Sequence, residues 1–184
     1  MSTNYHTHSG IPTPVNATGP CRAVFGLAGW SGSGKTTLME QLIQALVRGG
    51  LKVSTLKHAH HEAQIDTPGK DSWRHREAGA HEVALVTARR WALMHELRGE
   101  PEPGLTEMLQ RLSPCDLVLV EGFKREAIPK LEVHRQALGK PWIYPDDNLI
   151  GAVASDVRPS GKLRHFELDD IAGIASYIRT TTGV

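Results

Sequence analysis

The chain has 184 residues, enough for one domain with a substantial core, and its 21 Lys and Arg residues nearly balance its 20 Asp and Glu residues. This balance, without a long block of positive charge, argues against a nucleic-acid-binding protein. No stretch has the apolar length of a membrane span. We therefore predict a protein that binds neither nucleic acid nor membranes.

Residues 1–20 differ in composition from the rest of the chain. They are polar, contain three prolines and lack the apolar segment of a signal peptide, so we predict a disordered tail followed by a single domain over 21–184. The only cysteines, Cys21 and Cys115, have no C-x-x-C partner. Isolated thiols are typical of a reducing compartment, which predicts a cytoplasmic protein.

The most specific motif is a phosphate-binding loop. Residues 29–36 fit G-x-x-x-x-G-K-[ST] between a predicted strand at 24–28 and a predicted helix. Backbone N–H groups of such a loop bind phosphate oxygens, Lys35 reaches the β- and γ-phosphates, and the Thr36 hydroxyl ligates Mg²⁺. The predicted nucleotide-binding residues here are Gly29, Trp30, Ser31, Gly32, Ser33, Gly34, Lys35, Thr36 and Thr37.

Strands and helices alternate after the loop. Strands are predicted at 51–57, 82–87, 91–97, 117–120, 130–134 and 150–154, and helices at 72–78, 105–112 and 169–180. Only three residues join 82–87 to 91–97, which favours a hairpin, and the apolar run 117–120 is typical of a strand in a parallel sheet. The pattern predicts an α/β fold: a three-layer P-loop NTPase sandwich with a mainly parallel central sheet and a β-hairpin extension.

Glu121 is the candidate acid of the nucleotide site. Ligands of open α/β sheets bind beyond the carboxyl ends of the strands, and phosphate-loop NTPases usually carry an Asp where Glu121 follows 117–120. We predict that Lys35 and Glu121 are catalytic and that Glu121 and Thr36 hold the metal. Asp116 lies about 16 Å away along an extended strand and is excluded from this site.

The charged segment 58–72 is predicted to leave the sheet beside the phosphate loop. In the interpretation that we favour, it is mobile and closes over the γ-phosphate. Asp66 or Asp71 then adds a metal contact and Lys70 contacts phosphate. Asp66 is accordingly the third predicted metal ligand.

Two other interpretations of this segment stay open. His58, His60 and His61 have side chains that suit Zn, Ni or Cu, which predicts a transition-metal site. Alternatively, the segment is a solvated loop in which Asp71 or Ser72 caps the following helix.

Asp156 is the candidate for base recognition. The chain has no N/T-K-x-D sequence, and Asp156, after the strand 150–154, is the nearest equivalent in position. A carboxylate there can accept two hydrogen bonds from guanine. A plain loop residue before Pro159 fits the pattern as well, so both GTP and ATP remain open at this point.

Together these motifs resemble the MobB family, the molybdopterin-guanine dinucleotide biosynthesis adapter proteins. The resemblance covers about residues 22–180. It rests on 29–36, Lys57-His58-x-His60-His61, Asp66-x-Pro68-Gly69-Lys70-Asp71-Ser72, Arg76-x-Ala78-Gly79-Ala80 and 117–124.

This resemblance implies a GTP-binding, weakly hydrolysing homodimer with GTP and Mg²⁺ as ligands. It implies a partner, the guanylyltransferase that joins GMP to Mo-molybdopterin, and delivery of the cofactor to apo-molybdoenzymes. The segment 58–72 would sense the nucleotide state. Glu121 in place of Asp agrees with this family and favours slow turnover.

Two other function classes compete with the adapter. A P-loop small-molecule kinase needs cations over the transferred phosphoryl group, for which Lys124, Arg125, Arg89 and Arg90 are available. A metal-chaperone GTPase would use the histidines of the segment 58–72.

Overall fold

The computed structural model describes residues 19–59, 65–123 and 126–184. The described residues form two compact units, one comprising the chain up to His58 together with Leu105–Val184, and one within Ala59–Gly104. We call them unit 1 and unit 2. The predicted tail lies almost wholly outside the described residues, and a single domain over 21–184 stays a prediction. Of the helices described, none has the length and apolar character needed to cross a membrane.

The described elements follow the predicted alternation. In chain order they are β1 (Ala23–Ala28), α1 (Lys35–Arg48), β2 (Val53–Lys57), α2 (Asp71–Glu77), β3 (Glu82–Val86), β4 (Trp91–His95), α3 (Leu105–Arg111), β5 (Leu117–Glu121), β6 (Lys130–His134), β7 (Ile150–Ser155), β8 (Arg164–Phe166) and α4 (Ile171–Thr182). Short 3₁₀ turns lie at Gln136–Leu138 and Tyr144–Asp146.

Unit 1 is built on a six-stranded sheet in the order β2-β5-β1-β6-β7-β8. Every neighbouring pair is parallel. This confirms the predicted α/β fold with a parallel central sheet. The edge strand β8 was not predicted, because three residues are too few for a periodic pattern.

Helices cover both faces of this sheet. Phe25 of β1 and Leu119 of β5 belong to one buried cluster with residues of α1 and α4. Their neighbours Val24 and Val118 belong to a second cluster, with Leu105 and Leu109 of α3. Because successive side chains of a strand point to opposite faces, an unbroken apolar run fits this three-layer arrangement.

Strand β6 buries charged residues, which are usually exposed. Lys130, Glu132 and His134 alternate with apolar residues, a pattern typical of a half-exposed strand, yet all five residues of β6 are buried. The Lys130 Nζ lies 2.8 Å from Asp147 Oδ2, and the His134 ring stacks on Trp142 with centroids 3.8 Å apart. The Glu132 carboxylate accepts from the Ile143 and Tyr144 N–H groups at 2.9 Å. Partners from the chain after β6 therefore contact all three polar side chains.

Unit 2 contains the predicted hairpin. Strands β3 and β4 pair antiparallel, with Val86 opposite Trp91. In the connection, the Thr87 hydroxyl donates to the Arg90 carbonyl and accepts from the Arg90 N–H. The helix α2 precedes β3, with Lys70 as its N-cap residue and no side-chain capping bond from residues that the structure describes. The capping role considered for Asp71 or Ser72 is therefore wrong.

Candidate nucleotide-binding site

The predicted phosphate loop joins β1 to α1 at the carboxyl end of β1. Its backbone turns through three glycines with positive φ angles, Gly29 (147°), Gly32 (82°) and Gly34 (97°). A Cβ atom on Gly29 would lie 2.5 Å from the Val133 carbonyl oxygen and 2.7 Å from Ser33 Oγ. Only glycine fits there, because the loop passes so close to the backbone of β6.

The N-terminus of α1 is open to an anion. Its N-cap residue is Gly34, no side chain of the described residues caps it, and its first turn contains no acidic residue. The first N–H groups of a helix have no partner within the helix and carry partial positive charge. Thr36 and Thr37 are exposed in this first turn. The helix end therefore suits phosphate oxygens.

Two polar side chains of the loop support this fit. The Lys35 Nζ donates to the Trp30 carbonyl oxygen at 2.8 Å. Ser33 is 1% exposed, and its Oγ has no hydrogen-bond partner among the described residues. A buried hydroxyl without a partner costs about 1–3 kcal/mol, which a ligand oxygen within reach would offset. The residues present thus fit a nucleoside triphosphate.

Arg135 is a site residue that the sequence analysis missed. It follows β6, the neighbour of β1, and its Nε donates to the Ser33 carbonyl oxygen at 3.2 Å. Its guanidinium group would lie 3.4 Å from a Cβ atom on Gly34. The position just after a strand was the available signal, but nothing in the sequence states that β6 lies beside β1.

The structure brings Glu121 to the same edge of the sheet as the loop. Glu121 ends β5 and is in register with Leu27, near the end of β1. Its side chain is 13% exposed, and its Oε2 lies 3.7 Å from the Lys57 Nζ. The next residue, Gly122, has a φ of 103°, and a Cβ atom there would lie 2.7 Å from the His58 Cβ. A glycine is therefore required where the chain leaves β5.

Asp116 lies at the other end of β5, as predicted. Its carboxylate accepts from the Lys52 backbone N–H at 2.8 Å and from Arg22 at 3.1 Å. The backbone hydrogen bond and the guanidinium group lower the pKa of Asp116 below its usual value. It stabilises the amino-terminal edge of the sheet rather than the nucleotide site.

Asp156 has a structural contact that its sequence position did not reveal. It follows β7, and its Oδ1 accepts from the Gln136 backbone N–H at 2.9 Å. It therefore connects the end of β7 to the turn that follows β6 and Arg135. Recognition of guanine by Asp156 stays a prediction.

The remaining predicted residues belong to the segment 58–72 or to loops. His60, His61, Lys124 and Arg125 lie outside the described residues. The His58 ring lies 5.0 Å, between centroids, from the Phe123 ring. Arg89 and Arg90 lie in the turn of the unit 2 hairpin.

Asp66 lies in unit 2, whereas Thr36 and Glu121 lie in unit 1. Within unit 2 the Asp66 side chain is 5% exposed, and its Oδ2 lies 3.9 Å from the Arg76 Nε. Among the described residues neither Asp66 carboxylate oxygen has a hydrogen-bond partner, so the guanidinium group offsets the charge of this buried carboxylate only in part. Metal ligation by Asp66 stays a prediction.

Comparisons with known proteins agree on one family. Residues 24–156 match the family model for MobB, "Molybdopterin guanine dinucleotide synthesis protein B". Two proteins named "Molybdopterin-guanine dinucleotide biosynthesis adapter protein" are similar. The Haemophilus influenzae protein is 43% identical, over 84% of this chain and 86% of its own length. The Escherichia coli protein is 41% identical, over 82% and 88%.

A solved structure agrees with this result. The crystal structure of a molybdopterin-guanine biosynthesis protein B aligns with a TM-score of 0.70 and 28% sequence identity, over 88% of this chain and 99% of that one. The similarity therefore extends over both the sequence and the fold.

Proposed function

This chain belongs to the MobB family, and we propose that it acts as a GTP-binding adapter in the synthesis of molybdopterin guanine dinucleotide. Its relatives carry the name of adapters in that synthesis. The observation that carries the GTP-binding part is the glycine loop at the N-terminus of α1, with Lys35 and Arg135 beside it. The Ser33 hydroxyl in this loop has no partner in the part of the chain that the structure describes.

In this proposal the triphosphate occupies residues 29–37, and Thr36 and Glu121 hold Mg²⁺. Bound Mg²⁺ neutralises charge on the β- and γ-phosphates. The backbone N–H groups and Lys35 orient the phosphates. Arg135 adds positive charge on the β6 side of the loop.

Slow hydrolysis is part of the proposal. Glu121 replaces the usual Asp, and the ammonium group of Lys57 lies 3.7 Å from its carboxylate. With its longer side chain, Glu121 would hold the metal shell rather than take a proton from the attacking water. Partner proteins would then distinguish the GTP-bound protein from the protein after hydrolysis.

The proposed partners are the guanylyltransferase that joins GMP to Mo-molybdopterin, then apo-molybdoenzymes in the cytoplasm. We also propose a homodimer. The exposed large apolar side chains of the β3–β4 hairpin support a protein contact there, since such groups on a surface mark interaction sites. They are Leu85, Val86, Trp91 and Leu93.

Calorimetry of nucleotide binding tests the proposal at the site. We expect Mg²⁺-dependent binding of GTP that is tighter than that of ATP, and loss of binding in Lys35→Ala. Lys162→Ala, an exposed lysine on unit 1, is the matched control and should bind normally. Equal or tighter binding of ATP would refute guanine recognition.

Reconstitution of an apo-molybdoenzyme tests the role. Purified guanylyltransferase is supplied with GTP and Mo-molybdopterin, with and without this protein, and we expect stimulation that Lys35→Ala lacks. Labelled nucleotide distinguishes the kinase alternative, because a kinase leaves phosphate on a metabolite, whereas a GTPase releases it to water. Absence of stimulation together with a phosphorylated metabolite would favour the kinase.

A further inference from the structure

Unit 2 brings two histidines and two glutamates together at the open end of its hairpin. His95 ends β4 directly opposite Glu82, the first residue of β3. His81 precedes β3, and its carbonyl oxygen accepts from the Glu96 N–H at 3.0 Å, so antiparallel pairing continues to this point. Glu100 follows a few residues later, and its carboxylate lies near both imidazole rings.

The distances among three of these side chains suit one metal ion. The Glu100 Oε2 lies 3.6 Å from the His95 Nε2, and the Glu100 Oε1 lies 4.0 Å from the His81 Nε2. One ligand atom from each side chain lies within 4.8 Å of the other two. Tetrahedral Zn²⁺ with bonds of about 2.0–2.2 Å needs its ligand atoms about 3.3–3.6 Å apart. Small side-chain rotations therefore close the gap.

The orientation of His95 gives an independent reason to regard this cluster as a site. The His95 Nδ1 lies 2.9 Å from the Glu82 Oε1. Metal-bound histidines usually donate their second ring N–H to a carboxylate, which fixes the tautomer and orients the ring. Here that bond leaves the His95 Nε2 directed at Glu100.

We propose that unit 2 binds one Zn²⁺ ion through the Nε2 atoms of His81 and His95 and the carboxylate of Glu100, with Glu82 positioning His95. Two imidazoles and one carboxylate suit this ion and leave a fourth position for water. Side chains of His81 and Glu100 are 55% and 57% exposed, so the ion enters from solvent. The bound ion would tie the start of β3 to the chain beyond β4.

Competition titration of Zn²⁺ against a chromophoric chelator, on the full chain without an affinity tag, tests this site. We expect one bound Zn²⁺ per chain. His81→Gln, His95→Gln and Glu100→Gln should each weaken binding at least tenfold, and Glu82→Gln by about 10- to 100-fold. Co²⁺ substitution should give the visible absorption of a tetrahedral site, absent in His81→Gln/His95→Gln.

Two control variants separate this cluster from the histidines of the segment 58–72 and of α2. The triple variant His58→Gln/His60→Gln/His61→Gln and the variant His75→Gln should both retain Zn²⁺ affinity. The proposal is overturned if the wild-type chain binds no stoichiometric Zn²⁺, or if only the triple variant loses it. Circular dichroism checks that each variant folds. If a histidine variant does not fold, the Zn²⁺ affinity of Glu100→Gln decides the result, because Glu100 is exposed.

Discussion

Arg135 donates its Nε–H to the carbonyl oxygen of Ser33 across 3.2 Å, which places a guanidinium group from the end of β6 against the phosphate loop. The contact joins residues 102 positions apart in the chain. It also holds the loop from the side opposite Glu121, because β6 and β5 flank β1. The loop thus lies between a cation on one neighbouring strand and an acid on the other.

Replacement of Arg135 tests whether this cation contributes to nucleotide binding. We expect Arg135→Ala to weaken GTP binding about tenfold or more, since a charged hydrogen bond contributes about 1.5–3 kcal/mol. Arg135→Lys should recover part of the affinity, because it restores the charge without the planar donor pair. Calorimetry measures both affinities, and Arg158→Ala serves as the control because Arg158 is exposed. Equal affinities for Arg135→Ala and wild type would remove Arg135 from the site.

Gly29→Ala tests the close approach between the loop and β6. The new Cβ atom would lie 2.5 Å from the Val133 carbonyl oxygen, so the loop must shift. We expect loss of GTP binding and a decrease of about 1–3 kcal/mol in the free energy of unfolding, measured in urea. Gly139→Ala is the matched control. Gly139 also has positive φ (58°), but no atom of residues 19–59, 65–123 or 126–184 lies within 4 Å of its added Cβ. If both variants bind GTP equally, the contact at Gly29 is unimportant.

The two ends of β5 provide a matched pair of acids for the metal prediction. Glu121→Gln removes a charge at the nucleotide edge, whereas Asp116→Asn removes one at the opposite edge, beside Arg22. We expect Glu121→Gln to reduce the Mg²⁺-dependent gain in GTP affinity about tenfold, which corresponds to about 1.4 kcal/mol. Asp116→Asn should leave this gain unchanged. Titrations of GTP with and without Mg²⁺ measure this gain. If Asp116→Asn reduces the gain and Glu121→Gln does not, Glu121 does not bind the metal.

Glu132 should make stability depend on pH. Burial raises the pKa of Glu132 above its ordinary 4.5, although hydrogen bonds from the Ile143 and Tyr144 N–H groups and the nearby His134 lower it. A raised folded-state pKa means that the folded chain binds the proton more tightly. The resulting stabilisation is complete below the unfolded-state pKa and is lost as pH rises through the folded-state pKa.

A variant that cannot titrate isolates this effect. We expect the free energy of unfolding of the wild type, relative to Glu132→Gln, to increase as the pH is lowered from neutral towards about 4.5. Urea unfolding of both proteins across this range measures the difference, and titrating groups that do not interact with Glu132 cancel in it. Parallel pH curves would contradict the prediction.

Local patterns were enough for much of the fold. The loop at 29–36, the hairpin of β3 and β4 and the apolar strand β5 each depend on residues close in the chain, and the structure confirms their elements. The position of Glu121 followed from strand direction alone, since all carboxyl ends of a parallel sheet share an edge. These features are fixed by backbone conformation and by short-range periodicity.

Other features depend on partners that are distant in sequence. Burial of Glu132 requires N–H groups from residues 143 and 144, so the alternating pattern of β6 could not reveal it. Strand order placed Arg135 at the phosphate loop, and antiparallel pairing placed His81 near His95. Side chains far apart in sequence meet only when the chain has packed, and a sequence pattern carries no information about which distant groups meet. The sequence by itself therefore determined the loop and predicted its ligand class, whereas the tertiary structure decided which charges surround the loop.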